Sequence, residues 1–231
     1  MNFSGWEKLS LVDFDNHIVT TLFAAGCNLR CPFCHNSELV LHPKNNPSIP
    51  WEEIRDYLKR RKGVIDAVVI TGGEPTLMPD LIDKMKEIKS LGYEIKLDTN
   101  GTNPALLKEL AKLSLVDYIA MDIKNSLPKY GVTIGIPTFN ISKIEESIRF
   151  LIDGKIDYEF RTTIIDEFHT TTDMERIGQL IEGAKHYYLQ RYIDSEYCIE
   201  HGFHEIKKEK ALAYKAIANK YVGNVSLRGY E

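Results

Sequence analysis

The chain has 231 residues, 43% of them hydrophobic and 27% charged, which suits one domain with a sizeable buried core or two small domains. Its net charge of −4 argues against a nucleic-acid binder that uses a broad basic surface. Because the sequence has neither an apolar run near the roughly 20 residues that cross a bilayer nor a signal-peptide pattern, we expect a cytoplasmic protein without a nucleic-acid or membrane partner.

Short apolar runs rich in β-branched residues alternate with amphipathic segments along the chain. Continuous apolar runs are typical of parallel strands that are covered on both faces. Six runs are predicted to be strands: Ile18–Ala24, Ala67–Thr71, Tyr93–Asp98, Asp117–Ile123, Tyr158–Ile164 and Tyr187–Ile193. Residues Val222–Leu227 are a candidate for a final short strand.

Helix signals lie between these runs. Pro50, Pro79 and Pro104 suit the first turns of three helices. Ser142 with Glu145 predicts a capping box at the start of a fourth helix. Thr172 with Glu175 predicts another box for a fifth, and a sixth helix is predicted over residues 207–221.

Strand–helix units in series predict an α/β fold with a parallel sheet and right-handed crossovers. A closed barrel of eight units needs about 250 residues, so we expect an open partial (β/α)6 TIM-like barrel, formed by residues 1–231 as a single domain. The alternative is a flat doubly wound sheet. In either architecture the functional loops follow the carboxyl ends of the strands.

Three of the four cysteines lie directly after the first predicted strand, with the spacing C-x3-C-x2-C: Cys27, Cys31 and Cys34. In a reducing compartment such clustered cysteines bind metal or do chemistry more often than they form disulfides. A four-iron cluster on three thiolates leaves one iron open for a substrate. The alternative is a zinc loop completed by His35 or Cys198, since zinc normally takes four closing ligands.

Gly72, Gly73 and Glu74 follow the second predicted strand. A glycine pair at a strand end lets a ligand approach the backbone closely. A carboxylate at the next position is able to accept hydrogen bonds from a ligand ammonium. An ordinary turn is the alternative interpretation.

Charged residues also mark the later strands. Asp98 ends the third strand, and Asp122 with Lys124 ends the fourth. Taken singly, these residues are also typical of an Asx turn and a surface lysine. Arg161 on the fifth strand is either paired with Glu159 or another carboxylate on the sheet, or in contact with a ligand or the partner.

The string GCNLRCPFCHN, residues 26–36, resembles the cluster loop of the radical S-adenosylmethionine (SAM) superfamily, and in particular that of activating enzymes of glycyl-radical proteins. The phrases VVITGGEPTL, IKLDTNGTNP and VDYIAMDIK resemble the activating enzymes of anaerobic ribonucleoside-triphosphate reductase and of pyruvate formate-lyase. The resemblance covers the whole chain.

This resemblance implies an oxidoreductase that holds one 4Fe–4S cluster on Cys27, Cys31 and Cys34. One electron from the cluster would cleave SAM, and the 5′-deoxyadenosyl radical would remove hydrogen from a glycine of a partner. The implied partners are a glycyl-radical enzyme, most of all anaerobic ribonucleoside-triphosphate reductase, and an electron donor such as flavodoxin or ferredoxin.

The resemblance also implies which residues bind SAM. Gly72, Gly73 and Glu74 would hold the amino group of the methionine part, and Lys124 would pair with its carboxylate. The remaining candidates are Phe33 and His35 at the adenine, Asp98 and Asp122 at the ribose hydroxyls or a monovalent cation, Arg161 at SAM or the partner, and Gln190 or Arg191 where some relatives have a histidine.

Two other classes of function stay open. One is a radical SAM enzyme that acts on a small molecule, such as a deazapurine-ring synthase. The other is a non-catalytic iron–sulfur or zinc protein. Cys198, His201 and His204 form a C-x2-H-x2-H string that is either a second metal site or a loop before a helix.

Overall fold

The computed structural model describes residues 2–230, so the two terminal residues of the predicted 1–231 domain lie outside it. The strands are β1 Phe3–Ser10, β2 Val19–Ala24, β3 Ala67–Gly72, β4 Glu94–Thr99, β5 Tyr118–Asp122, β6 Asp157–Ile164, β7 His186–Arg191 and β8 Asn224–Arg228. None of the helices in this range is long and apolar enough to cross a membrane.

The helices are α1 Ser37–Leu41, α2 Trp51–Arg60, α3 Leu81–Ser90, α4 Pro104–Lys112, α5 Leu127–Thr133, α6 Ser142–Asp153, α7 Thr171–Leu180 and α8 Lys208–Ala218, with a 3-10 helix at Pro75–Leu77. Six of the α-helices correspond to predicted ones. The short helices α1 and α5 and the 3-10 turn were not predicted, because segments of seven residues or fewer carry little helical periodicity.

The strands form one sheet in the order β1 to β8, with β1 and β8 at its edges. Strand β1 is antiparallel to β2, whereas β2 with β3, β3 with β4, β6 with β7, and β7 with β8 are parallel. The predicted α/β class with parallel strands in an open sheet is therefore confirmed. The candidate final strand is present as β8.

Strand β1 was not predicted. Its sequence FSGWEKLS has no continuous apolar run, and its middle residues are half-buried or exposed. It pairs with β2 through a register that shifts twice. Such an edge strand is not buried on both faces, so it lacks the continuous apolar run from which the inner strands were predicted.

The chain forms two compact units. Unit 1 comprises the chain up to Asn28, Asn36–Thr99 and Ala105–Ile119. Its core includes the fully buried Leu22, Ile70 and Leu97 on three parallel strands. Unit 2 comprises Leu29–His35, Asn100–Pro104 and the chain from Ala120 onward.

Both predicted capping boxes are wrong. Helix α6 has Ile141 as its N-cap without a side-chain hydrogen bond, because Ser142 is already helical. Helix α7 has its box at Thr170 and Asp173, where Thr170 has the extended backbone that an N-cap requires. Thr172 and Glu175 lie inside the helix.

The box at α7 yields a stability prediction. Replacing Thr170 with Ala removes the hydroxyl that accepts from the Asp173 N–H, and should lower the free energy of unfolding by about 1 kcal/mol. Urea denaturation measures this value. Thr171→Ala, at an exposed threonine one position later, is the control and should stay within about 0.5 kcal/mol of the wild type. Equal effects of the two substitutions would contradict the assignment.

Candidate functional site

In unit 1 the loops that follow β2 and β3 are hydrogen-bonded to each other. The Gly73 N–H donates to the Ala24 carbonyl at 2.8 Å, and the Glu74 N–H donates to the Gly26 carbonyl at 2.8 Å. A Cβ on Gly73 would lie 2.0 Å from the Gly26 oxygen. The glycine is therefore required because two backbones approach, a reason that the sequence did not reveal.

Asn36 joins the same two loops. Its Nδ2 donates to the Gly72 carbonyl at 2.8 Å. Gly72 has a φ of +110°, a conformation that L side chains rarely adopt. Sequence reasoning missed Asn36 as a contributor, although it closes the cysteine motif. The bond holds Asn36 at the end of β3, within unit 1.

Glu74 is completely buried. Its Oε1 accepts hydrogen bonds from the Thr76 N–H at 3.1 Å, the Thr76 hydroxyl at 2.5 Å and the Thr99 hydroxyl at 2.8 Å. The carboxylate thus caps the 3-10 helix and ties the end of β3 to the end of β4. Contact with a ligand ammonium stays a prediction.

Asp98 lies on β4 two residues after Lys96, on the same face of the strand. The Lys96 Nζ is 3.9 Å from Asp98 Oδ1, and the two side chains are 5% and 16% exposed. The same ammonium donates to the Asp13 carbonyl. A monovalent cation at Asp98 would therefore lie near the Lys96 ammonium, which already compensates the negative charge of this carboxylate.

In unit 2 the cysteine loop is attached to the segment that follows α5. The Arg30 N–H donates to the Ile134 carbonyl at 2.9 Å. Gly135 lies so close that a Cβ there would be 2.2 Å from the Arg30 oxygen. Cys31 is buried, and the Cys34 N–H donates to the Cys31 carbonyl at 3.0 Å, which forms a turn. The loop position of Cys31 and Cys34 is therefore set by backbone contacts.

Residues 192–204 also contact the cysteine loop. The Glu200 N–H donates to the Pro32 carbonyl at 2.7 Å, and Cys198 Sγ is 4.0 Å from the Phe33 oxygen. The Phe33 ring packs against Phe168 with 5.7 Å between centroids. The His35 ring lies edge-on to Tyr192 at 5.8 Å. Phe33 is buried and His35 is exposed, so the second ring is the more accessible of the two predicted adenine contacts.

Asp122 is held between two cations. The Lys124 Nζ and the Arg161 Nε each lie 2.9 Å from one of its carboxylate oxygens. Burial alone would raise the pKa of Asp122, but Arg161 and Lys124 outweigh burial and lower the pKa to about 2. Because two cations already neutralise this carboxylate, the structure gives no electrostatic support for a further cation at Asp122.

Lys124 also interacts with two cysteines. Burial on its own lowers the pKa of the Lys124 ammonium, but Asp122 first, and then the charges of Cys31 and Cys34, raise the pKa above its ordinary value. The Lys124 side chain is 19% exposed, so it is partly accessible to a ligand. Lys124 is therefore a permanent positive charge close to two of the three clustered cysteines.

Acidic and basic side chains alternate in a row of ion pairs that continues from Asp122 across the strands of unit 2. The Arg161 guanidinium is also 4.0 Å from buried Glu159, and Glu159 accepts from Arg228 at 3.2 Å. The predicted pairing of Arg161 with Glu159 thus exists beside the contact with Asp122. On β7, Gln190 is in register with Arg228, whereas Arg191 pairs with Glu205 at 2.5 Å.

His169 was not predicted as a site residue, and its ring contacts the backbone carbonyl of Lys124. The Ile165 N–H donates to its Nδ1 at 3.0 Å, and its Nε2 lies 3.0 Å from the Lys124 carbonyl. Nδ1 also lies 3.2 Å from the Ile165 carbonyl. The hydrogen bond that Nδ1 accepts from the Ile165 N–H favours a neutral ring that carries its proton on Nε2. Burial is the largest effect and lowers the pKa of His169. A single histidine without a motif gave no sequence signal.

The C-x2-H-x2-H string does not form a metal site. His201 pairs with Asp194 at 3.6 Å, and His204 pairs with Glu167 at 2.6 Å. Cys198 Sγ lies 3.6 Å from the Tyr192 hydroxyl. Across residues 2–230, no group of three or more histidine, cysteine or acidic side chains is arranged to hold one metal ion.

The cysteines nevertheless fit an iron–sulfur cluster. None of the four is in a disulfide. Thiolates of a 4Fe–4S cluster bind separate iron atoms, so they do not have to converge as the ligands of one ion do. The Lys124 ammonium supplies positive charge next to Cys31 and Cys34. The donor set therefore suits a cluster better than a zinc ion.

Comparison with known proteins gives one consistent family. Residues 21–180 match the Radical SAM superfamily. A Methanocaldococcus jannaschii protein, named as a candidate glycyl-radical enzyme activating enzyme, is 32% identical over 97% of this chain and 95% of its own length.

Shorter matches include a 7-carboxy-7-deazaguanine synthase of Thermococcus kodakarensis, 31% identical over 46% of this chain and 48% of that enzyme. The pyruvate formate-lyase-activating enzyme of Clostridium pasteurianum is 34% identical over 52% of this chain and 50% of that enzyme. The crystal structure of Streptococcus suis SuiB has the same fold with a TM-score of 0.71, at 14% identity, over 91% of this chain and 49% of SuiB.

Gly73→Ala tests the close approach of the two loops in unit 1. The new Cβ meets the Gly26 oxygen, and the free energy of unfolding should fall by about 1–3 kcal/mol because the backbone must shift. Gly223→Ala is the matched control, since its Cβ would meet only carbonyl oxygens at 3.5 Å and 3.7 Å. Urea denaturation measures both. A Gly73→Ala protein as stable as Gly223→Ala would refute the packing argument.

The lowered pKa of His169 predicts a pH dependence. Below about pH 6.5 the unfolded chain binds a proton that the folded state resists, so the free energy of unfolding should decrease as pH falls toward the folded pKa. Above that pH the contribution is fully present. Denaturation curves of wild type and His169→Asn isolate the residue from the other six histidines. Identical pH slopes in the two proteins would contradict the neutral assignment.

Proposed function

This chain belongs to the Radical SAM superfamily, and we propose that it is an activating enzyme that places a glycyl radical on a partner protein. One observation carries the proposal: the similarity to a candidate activating enzyme extends over nearly the whole length of both chains. On this proposal residues 1–231 act as a single radical SAM domain.

The cluster ligands in this proposal are Cys27, Cys31 and Cys34. Their spacing along the chain and the cation beside Cys31 and Cys34 support this role. When bound, a reduced 4Fe–4S cluster supplies the electron that cleaves SAM, and the resulting 5′-deoxyadenosyl radical takes hydrogen from a glycine Cα. The protein provides position and shielding.

Lys124 is proposed to bind the carboxylate of the methionine part of SAM. The supporting facts are a positive charge that persists at all physiological pH values, a partly accessible side chain and a location beside two cysteines. An ammonium paired with a carboxylate forms a charge-assisted hydrogen bond. Asp122 would act indirectly, by holding Lys124 and Arg161 in place.

The other predicted contacts follow from the loops described above. The backbone at Gly72 and Gly73 is proposed to face the methionine amino group, with Glu74 fixing that loop through its threonine contacts. His35 and Phe33 are proposed for the adenine. Asp98 remains the candidate for the ribose hydroxyls, with Gln190 and Arg161 at the edge of the ligand.

The proposed protein partner is a glycyl-radical enzyme, with anaerobic ribonucleoside-triphosphate reductase as the first candidate. Solved structures of SuiB include one with SAM and one with a precursor peptide, so a protein of this fold accepts a polypeptide. A flavodoxin or ferredoxin is the proposed electron donor. A second candidate function, radical chemistry on a small molecule, is favoured by the match to the deazaguanine synthase over 46% of the chain.

Replacing Lys124 with Ala separates SAM binding from cluster assembly. Loss of a charge-assisted hydrogen bond should weaken SAM binding about tenfold or more, while the visible absorbance of the reconstituted cluster should persist. Equilibrium binding of SAM to the anaerobic protein measures the effect. Lys143→Ala, at an exposed lysine on α6, is the control and should bind SAM as the wild type does. Unchanged affinity in Lys124→Ala would remove Lys124 from the site.

Electron paramagnetic resonance (EPR) tests the activating function. The reconstituted chain is mixed with reductant, SAM and the anaerobic ribonucleotide reductase of the same genome, and 5′-deoxyadenosine is assayed in parallel. We expect a stable glycyl doublet together with 5′-deoxyadenosine. Release of 5′-deoxyadenosine without the doublet would contradict this partner, and a doublet that survives Cys31→Ala would contradict the cluster assignment.

A further inference from the structure

Glu159 on β6 is a buried carboxylate near two arginines, and its side chain is only 3% exposed. The Arg228 Nη1 donates to its Oε1 at 3.2 Å, and the Arg228 Nη2 donates to its Oε2 at 3.5 Å. The Arg161 Nη1 is 4.0 Å from Oε1, which is too long for a hydrogen bond. Of these two cations, Arg228 therefore makes the closer contact, and it contacts both oxygens of the carboxylate.

Arg228 reaches this carboxylate from the edge strand β8 across the neighbouring strand β7. Its guanidinium lies over the Tyr188 ring of β7, 4.0 Å from the ring centroid. Tyr188 is in register with Arg161 on β6, so the ring lies next to the strand that carries Glu159. A guanidinium over an aromatic face gains a favourable cation–π interaction. Tyr188 therefore helps to hold Arg228 in the direction of Glu159.

Arg161 has a carboxylate on each of two sides of its guanidinium. Its Nε donates to Asp122 Oδ1 at 2.9 Å, whereas its Nη1 stays 4.0 Å from Glu159. Glu159 and Arg161 are two positions apart on β6, so their side chains point to the same face of the sheet. A movement of about 1 Å would bring Nη1 within hydrogen-bond distance of Glu159. The two carboxylates therefore compete for one guanidinium.

The result of this competition determines the charge beside Lys124. While Arg161 is bonded to Asp122, two cations and one carboxylate leave a net positive charge at Lys124. If Arg161 moved to Glu159, Lys124 and Asp122 would form a neutral pair, which attracts an anion more weakly. Loss of Arg228 would favour that movement, because a buried carboxylate that loses its close cation is costly.

We propose that Arg228 is a positioning residue of the SAM site, because its pairing with Glu159 keeps Arg161 at Asp122. The inference rests on the proposed function, in which Lys124 binds the carboxylate of SAM. Arg228 acts through other residues and needs no contact with SAM. A residue of the edge strand β8 thus influences the affinity for SAM through a row of ion pairs formed by Arg228, Glu159, Arg161, Asp122 and Lys124.

The test measures the SAM dissociation constant of the reconstituted anaerobic protein for Arg228→Gln, Glu159→Gln and the double variant. Arg228→Gln should weaken SAM binding about three- to tenfold, because Arg161 moves to Glu159. Glu159→Gln removes the competing charge and should bind SAM within about twofold of the wild type. The double variant should then equal Glu159→Gln within about twofold, which means that the second substitution restores the affinity. Arg149→Gln, at an exposed arginine on α6, is the control and should bind SAM as the wild type does.

A second readout follows Arg161 itself in the full chain and needs neither cluster nor SAM. The Arg161 Nε–H donates to Asp122, so its proton should exchange slowly with water. Its nuclear magnetic resonance signal is identified by its absence from Arg161→Lys. Slow exchange should be seen in the wild type and in the double variant, and should be lost in Arg228→Gln. A purely structural role of Arg228 would not predict this pattern at Arg161.

The outcomes distinguish two failures. Unchanged SAM binding in Arg228→Gln, a double variant as weak as Arg228→Gln, or identical Arg161 signals in Arg228→Gln and the wild type would overturn the inference and leave the proposed function standing. If Arg228→Gln does not fold, a difference of more than about threefold in SAM binding between Glu159→Gln and the double variant would overturn it. A reconstituted wild type that neither binds nor cleaves SAM would instead overturn the proposed function, while the Arg161 signal would still test the ion pairs.

Discussion

The contact on which unit 2 depends is the Asp122 carboxylate between Lys124 and Arg161, 2.9 Å from each. One anion held by two cations leaves a net positive charge in a partly buried place. Such charge is costly to remove from water unless it is paired. Cys31 and Cys34 are close enough to Lys124 to act on its charge. Asp122 therefore holds the Lys124 ammonium beside two of the cysteines.

Strand geometry explains why these three residues meet. Asp122 and Lys124 are two positions apart at the end of β5, so their side chains point to the same face. The Ile123 N–H donates to the Arg161 carbonyl at 2.8 Å, which brings Arg161 of β6 beside Asp122. Behind this face, His169 bonds the Lys124 carbonyl. The position of the ammonium is thus determined by β5, by its neighbour β6 and by a buried histidine.

A second buried network holds the segment that follows Lys124. The Asn125 side chain donates to the Phe168 carbonyl at 3.0 Å and to the Thr133 hydroxyl at 2.9 Å. Ser126 donates to Asp173 at 2.8 Å. Asp173 also forms the capping box of α7, so one carboxylate stabilises a helix start and the loop after β5 together. Local helix capping and the placement of Lys124 are therefore coupled.

The sequence predicted the inner strands and the loops that follow them, because continuous apolar runs and short motifs are local signals. It placed Asp122 and Lys124 at one strand end correctly. It did not predict that Asp122 forms ion pairs with both Lys124 and Arg161, because the second pair depends on how β6 lies beside β5. His169 was not predicted for a similar reason: it is a single residue whose role appears only in tertiary packing.

The edge strand β1 and the capping boxes show a further limit. Strand β1 has exposed middle residues and no periodic apolar pattern. The two predicted boxes have the right residue types, but their first residues are not N-caps. Ser142 is already helical, and the extended N-cap residue of α7 is Thr170. A motif of two residues does not determine which residue leaves the helical conformation. Neighbouring packing decides that choice.

The central claim is that Asp122 contributes to SAM binding by holding Lys124. A double-mutant cycle on the SAM dissociation constant tests this most directly, with Lys124→Met, Asp122→Asn and the double variant, each carrying a reconstituted cluster. The account predicts strong coupling: once Lys124 is replaced, Asp122→Asn should change the dissociation constant less than about twofold. Effects of the two substitutions that multiply independently in the double variant would contradict it.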